Sequence, residues 1–393
     1  MLQFQAQPPA PWTRTVKVVR TALINIIVLV SLFVLGEGFF SVALLSSDML
    51  REDVTPERTH TRYDPELGWA PIPNLDLPSM YGPGNYLRTN SQGFRGTYDY
   101  TETAPPGKRR VICSGDSVTF GYGVDDAHSW CRLLETMDPR LETINMGLSG
   151  YGVDQAYLWY KRDAGRFDHQ VHLFAPITDD FRRMQSTRFL NYDRPFLLVE
   201  DGRLQVTNVP VPARSFHLPW WSEVRRHLWS LRSAQAVRRL KRSVSESQGA
   251  GAVVPASLDK QAGKLAADRR AAGVVSVLLR DLKALNEERG SILVVVYLPT
   301  HNDRGPDTAF WIGLLADECE ALGIPFVNLV KDFEQMPDDE AIRLYLPDLG
   351  HFNRDGNAYV ARRIHQNLAG FPEVSRALFR PDGRQAWNPV GLE

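Results

Sequence analysis

An α/β domain built on a parallel sheet of about five strands, behind one N-terminal transmembrane helix, is the fold class this 393-residue sequence predicts. Two observations carry the prediction. The first is an almost unbroken apolar run from Thr21 to Leu45. The second is a series of short apolar runs at Arg110–Cys113, Glu142–Met146, Val171–Pro176, Ile292–Pro299 and Pro325–Leu329. Helix-like stretches at Ser129–Met137, Asp154–Ala164, Gly273–Glu287 and Thr308–Leu322 separate them. Strands that alternate with helices pair in parallel and bury both faces of their sheet.

Residues 21–45 form about 25 residues of helix, longer than the roughly 30 Å of bilayer hydrocarbon at 1.5 Å per residue. Arg14, Lys17 and Arg20 precede the run, whereas Asp48, Arg51, Glu52 and Asp53 follow it. That asymmetry predicts a cytoplasmic segment 1–20, a lipid-embedded span 21–45 and an extracytoplasmic, periplasmic remainder. Ser41 and Ala43 loosely imitate a signal-peptidase site, but the apolar core of a signal peptide is only about 7–15 residues, so a retained anchor is expected. Glu37 inside the run is read as an outer-interface residue, with pairing inside the membrane as the alternative.

The chain is 43% hydrophobic and 23% charged with a formal net charge of -1. This is globular composition with no overall drive toward nucleic acid. Three cysteines are too few for a disulfide framework. Cys113 falls in a predicted strand and Cys131 in a predicted helix, so both are expected as buried thiols; Cys319 is assigned no role. There is no metal-ligand spacing, phosphate loop or nucleotide motif, so no metal or cofactor is expected.

Residues 46–105, rich in Pro, Gly, Asp and Thr, read as a stalk and loop-rich lead-in. The α/β domain is expected over 106–370, closing with a helix from Arg354 to Leu368. An insertion at 185–270 interrupts the alternation. It carries Trp220 and Trp221, then Arg225, Arg226, Arg232, Arg238, Arg239, Lys241 and Arg242. Interfacial helices pair aromatic and basic faces in this way, although an ordinary solvated helix or a docking surface fits the pattern as well. Ser243–Ser257 is read as a flexible segment, and the tail 371–393 shows no periodicity.

Chemistry concentrates at strand ends. Gly115-Asp116-Ser117 follows a strand and precedes a helix, the position of a nucleophilic serine whose own N–H can face an oxyanion. Asp348-Leu-Gly-His351 supplies the partners. A three-residue offset lets the carboxylate orient the imidazole while the other ring nitrogen faces the serine. His301, at another strand end, is read as a satisfied loop histidine rather than a pocket residue.

These blocks resemble the SGNH/GDSL hydrolase superfamily, in particular its exported, membrane-anchored members. The residues that carry the resemblance are Gly115-Asp116-Ser117-Val-Thr-Phe-Gly-Tyr-Gly123, Asn145-Met-Gly-Leu-Ser-Gly150 and Asp348-Leu-Gly-His351-Phe-Asn353, with Gly68-Trp69 and Asn90–Gly96 as lead-in. The resemblance implies a three-layer, flavodoxin-like α/β fold with Ser117 as nucleophile, His351 as base and Asp348 as its orienter. It also implies an oxyanion hole from the Ser117 N–H, the Gly150 N–H and a third-block Asn side chain.

The third block departs from the pattern, because Thr178-Asp179-Asp180 stands where Asn-Asp is usual. On the simplest register Asp179 replaces the Asn, and a carboxylate repels an oxyanion that an amide would stabilise. Loss of one such donor costs about 100- to 1000-fold in kcat. A buried, protonated Asp179 would again be a donor; a Thr178 hydroxyl or a shifted register would be another remedy.

Two functions follow. One is an extracytoplasmic serine esterase or acyl-transfer enzyme acting on O-acyl groups of envelope carbohydrate or lipid. The other is a decayed domain of the same fold, serving as an extracytoplasmic subunit of a membrane complex.

Overall fold

The computed structural model describes residues 11–49, 60–189, 192–212, 233, 258–301, 303, 306–347 and 350–379. They fall into two compact units. The first contains helix α1 (Pro11–Met49), in which the 28 residues Val16–Ala43 have a mean hydropathy of 2.5 and are long and apolar enough to cross a membrane. From Val16 to Val42 its leucines, isoleucines and valines are exposed. Glu37 accepts hydrogen bonds from the Ser233 N–H (3.2 Å) and hydroxyl, so it has a partner within its own unit.

The second unit opens with four short strands, β1 (Thr61–Asp64), β2 (Gly68–Pro71), β3 (Asp76–Leu77) and β4 (Leu87–Arg88), paired as β1–β2 and β3–β4. Strand β5 (Arg109–Gly115) leads into the one-turn helix α2 (Ser117–Phe120), then α3 (Trp130–Met137), β6 (Leu141–Gly147) and α4 (Val153–Asp163). Strand β7 (Val171–Ala175) is followed by α5 (Thr178–Arg183). Two hairpins come next, β8 (Arg188–Phe189) with β9 (Tyr192–Asp193) and β10 (Phe196–Glu200) with β11 (Arg203–Thr207). The unit then continues through α6 (Leu258–Glu288), β12 (Ile292–Tyr297), α7 (Pro306–Leu322), β13 (Phe326–Asn328), α8 (Val330–Glu334), α9 (Asp338–Ile342), α10 (Arg354–Gly370) and α11 (Pro372–Leu378).

Five strands form one parallel sheet in the order β13-β12-β7-β5-β6. Strand residues alternate between two cores. Ile112, Ile144, Phe174, Val295 and Tyr297 pack with α4, α6 and α7; Val111, Cys113, Leu173, Val294 and Val296 pack with α3, α10 and α11. Because both faces are covered, the strands read as continuous apolar runs and not as alternating ones. The expected three-layer α/β architecture is therefore the observed one.

Strand β5 pairs with β6 on one side and β7 on the other, so the chain reverses its direction of sheet growth between β5 and β7. Ligand crevices form outside the carboxyl ends of strands at such a switch point. Ser117 and Thr178 begin the helices that leave those two strands.

Several details differ from the sequence reading. The lead-in is not bare loop: β2 is wholly buried, and Trp69 and Leu87 join the core. The helix expected from Gly273 begins at Leu258, and the tail starts with α11, whose Val374 and Leu378 are buried. Cys113 and Cys131 are not free thiols but form a disulfide, with Cα atoms 6.3 Å apart. The bond ties β5 to the first turn of α3, a proximity that spacing alone does not reveal. Cys319 is a buried free thiol, pushed up to about 12 by burial and by Glu318. The Trp220–Arg242 and Ser243–Ser257 readings lie outside the described residues, apart from Ser233.

Candidate active site

Ser117 sits at the first position of α2, directly beyond β5. Asp116 caps that helix, its Oδ1 accepting the Val118 N–H at 2.8 Å, and the first-turn N–H of Ser117 has no intrahelical acceptor. The turn is tight because the strand ends are bare. A Cβ on Gly115 would lie 2.7 Å from the Ala175 carbonyl, and one on Gly147 would lie 2.6 Å from the Thr119 backbone.

His351 returns from the far end of the chain. Its Nε2 is 2.8 Å from Ser117 Oγ. The loop that carries it is pinned on both sides: the Leu346 N–H donates to the His351 carbonyl at 2.8 Å, and Asn353 caps α10 through the Gly356 N–H at 2.9 Å. The Tyr122 ring packs against the imidazole, with centroids 4.3 Å apart. Asp348 lies outside the described residues.

Ser117, His351, Thr178, Asp179, Arg182 and Arg183 line one pocket of about 180 Å³. Gly150 does not line it. That residue is buried at a φ of +80°, and a Cβ there would come 2.8 Å from the Phe189 ring. His301 lies in a neighbouring pocket and not in this one.

Two of the three remedies considered for the third block, those that rely on Asp179 and on Thr178, meet physical objections. Asp179 is half exposed, and its carboxylate accepts from Arg182 Nη1 at 2.7 Å, so it faces the Arg182 cation and offers no donor of its own. Thr178 is buried, but its single hydroxyl proton goes to the Asp303 carboxylate at 2.6 Å, since a carboxylate can only accept. The hydroxyls of Tyr297 (2.8 Å) and Thr308 (3.0 Å) complete its surroundings.

Beneath the serine is a charged cluster that the sequence reading missed. Arg183 Nη1 donates to Asp116 Oδ2 (2.9 Å), to Asp180 Oδ1 (2.7 Å) and to the Tyr151 carbonyl (3.0 Å). Burial opposes the Arg183 charge, but Asp180 and Asp116 more than compensate and raise its pKa. Burial pushes the Asp180 carboxyl well up, and the negative charge of Asp116 reinforces the shift. The i,i+3 spacing of Asp180 and Arg183 was a sequence signal for this pair. Asp116 Oδ2 also lies 3.2 Å from Ser117 Oγ, so the serine proton has two acceptors in reach and the histidine is the nearer.

No family model matches the chain, and no curated protein does. Among solved structures it is similar to a lipolytic protein of the G-D-S-L family from Desulfitobacterium hafniense, at 12% identity and a TM-score of 0.38 over 66% of this chain and 99% of that one. A lipolytic G-D-S-L protein from Veillonella parvula aligns at 13% identity and a TM-score of 0.37, over 66% and 97%. An acetylxylan esterase from Geobacillus stearothermophilus aligns at 11% identity and a TM-score of 0.38, over 67% and 95%. Likeness at this level carries nothing about chemistry, for which the distances above are the basis.

Proposed function

We propose that this chain is a membrane-anchored serine esterase or acyl-transfer enzyme acting outside the cytoplasm on O-acyl groups of envelope carbohydrate or lipid. The observation that carries the reading is the 2.8 Å contact between Ser117 Oγ and His351 Nε2 in a pocket at the switch point of a parallel sheet.

In this mechanism His351 takes the proton from Ser117 Oγ as the oxygen attacks the ester carbonyl. The tetrahedral intermediate collapses, the alcohol leaves with the proton from His351, and an acyl-enzyme remains. Water, or a second hydroxyl in the transfer case, attacks it with His351 again as base and releases the acyl group. Asp348 is proposed to orient the imidazole. The Ser117 N–H is one oxyanion donor, and Arg182 and Arg183 supply positive charge at the rim and floor of the pocket. The Cys113–Cys131 disulfide favours an oxidising compartment, in line with an N-terminus in the cytoplasm and a domain beyond the membrane.

One observation favours the alternative of a non-catalytic subunit of a membrane complex: the half-exposed Asp179 carboxylate lines the pocket where a neutral donor would serve. A fluorophosphonate probe on the full-length chain in detergent separates the two, with Ser117→Ala as control. Labelling that the substitution abolishes supports the enzyme. A folded protein that is not labelled supports the subunit.

A further inference from the structure

Tyr122 touches both Ser117 and His351, the first through its backbone and the second through its ring. Helix α2 ends in a left-handed cap at Gly121, whose φ is +81°. The Gly121 N–H donates to the Val118 carbonyl at 3.3 Å, and the Tyr122 N–H donates to the Ser117 carbonyl at 3.0 Å. The Tyr122 ring then lies on the His351 imidazole, with centroids 4.3 Å apart and planes 33° from parallel. We propose that Tyr122 is a positioning residue of the reaction. Its ring face holds the imidazole toward Ser117 Oγ and stabilises the positive charge that the imidazole acquires on taking the serine proton. This role rests on the esterase reading.

The attraction is electrostatic. As Ser117 Oγ bonds to the acyl carbon, its proton passes to His351 Nε2 and the imidazole becomes a cation. The face of an aromatic ring is negative, so a cation within about 6 Å of its centroid is drawn to it. A neutral imidazole gains much less. The contact therefore strengthens as the transition state forms, which is what accelerates a chemical step. Tyr122 is only 9% exposed, and such contacts are stronger where water is excluded.

The surrounding contacts restrain the ring. Tyr81 also packs against it, with centroids 5.0 Å apart. The Tyr81 carbonyl accepts from Asn85 Nδ2 at 2.8 Å, and Asn85 Oδ1 accepts from Arg354 Nη2 at 2.7 Å. Arg354 opens α10, just beyond His351, and its Nη2 also donates to Asp125 Oδ2 at 2.6 Å. The lead-in loop, the segment after Tyr122 and the helix after His351 are thus tied together. Gly123 leaves space in which the Leu346 side chain packs, and the Leu346 N–H donates to the His351 carbonyl at 2.8 Å. Ring and imidazole are held from both chain segments that carry them.

The test is the rate at which a fluorophosphonate probe labels Ser117 in the full-length chain in detergent. Tyr122→Phe keeps an aromatic face and should keep the rate within about twofold. Phenylalanine bearing one, two or three ring fluorines at position 122 changes the volume little while draining negative potential from the ring. The rate should fall stepwise along that series, about five- to tenfold by the third fluorine. Tyr122→Leu, which packs without a π face, should be slowed at least as much. A labelled wild type whose rate is indifferent to fluorination overturns the role of the ring and leaves the esterase reading standing. So does a Tyr122→Phe variant as slow as Tyr122→Leu, which would place the effect in the hydroxyl. A folded wild-type chain that resists the probe overturns both.

Discussion

Arg183 and Asp116 are joined at 2.9 Å directly beneath the turn that carries Ser117, and the same Asp116 oxygen lies 3.2 Å from Ser117 Oγ. The guanidinium draws charge away from that oxygen. It therefore weakens the competing acceptor for the serine proton and leaves His351 as the better one.

Arg183→Met removes the cation shared by two buried carboxylates, Asp116 and Asp180. The expected loss is about 3–5 kcal/mol, the usual cost of leaving a buried charge uncompensated. Urea unfolding measures it. Arg183→Lys should recover part of the stability but only a fraction of the fluorophosphonate labelling rate, because an ammonium group lacks the planar fork.

Asp180 predicts a pH dependence of stability. Its carboxyl is raised in the folded state by burial and by Asp116, so the folded chain holds this proton more tightly than the unfolded one. The resulting stability is complete below the unfolded value near 4 and fades as pH rises through the folded value. Asp180→Asn lacks this titration. Plotted from pH 4 upward, the stability of the wild type relative to the variant should decline, and a flat difference would refute the assignment.

Asp179→Asn should increase the rate of Ser117 labelling about tenfold or more, since a neutral amide replaces a carboxylate in the pocket wall. Its ion pair with Arg182 is half exposed, so the change in stability should stay below about 1 kcal/mol. Stopped-flow labelling and thermal unfolding of the same preparation check both halves.

The disulfide spans 18 residues. Cys131→Ala should cost about 2–4 kcal/mol, the range expected for a loop of this size. Both half-cystines are fully buried, so a reductant should leave the native protein intact and act only once it unfolds. Mass spectrometry after thiol alkylation, with and without urea, distinguishes these states.

The five sheet strands and their helices were legible because each strand is buried on both faces and carries an unbroken apolar run. Gly115-Asp116-Ser117 and the block around His351 pointed to two residues that lie 2.8 Å apart, while Asp348 lies outside the described residues. What escaped was whatever depends on long-range packing. Trp69 and Leu87 looked like loop residues because their partners lie far along the chain. The Cys113–Cys131 bond requires the register of α3 on β5, and the role of Arg183 requires α5 to dock beneath α2. The third block was readable as a departure from the family pattern. Only geometry shows that the Thr178 proton is taken by Asp303 and that Asp179 faces Arg182.

The bare strand ends at Gly115 and Gly147 also limit how this protein can diversify. Even alanine at either position would push α2 off the sheet and carry the serine with it. Descendants or laboratory libraries that seek new specificity therefore have no route through these two positions. Variation is better tolerated in the segments 299–301 and 334–342, which frame the neighbouring pocket without supporting the turn that carries Ser117. A library confined to them would change what is bound while keeping the apparatus that reacts.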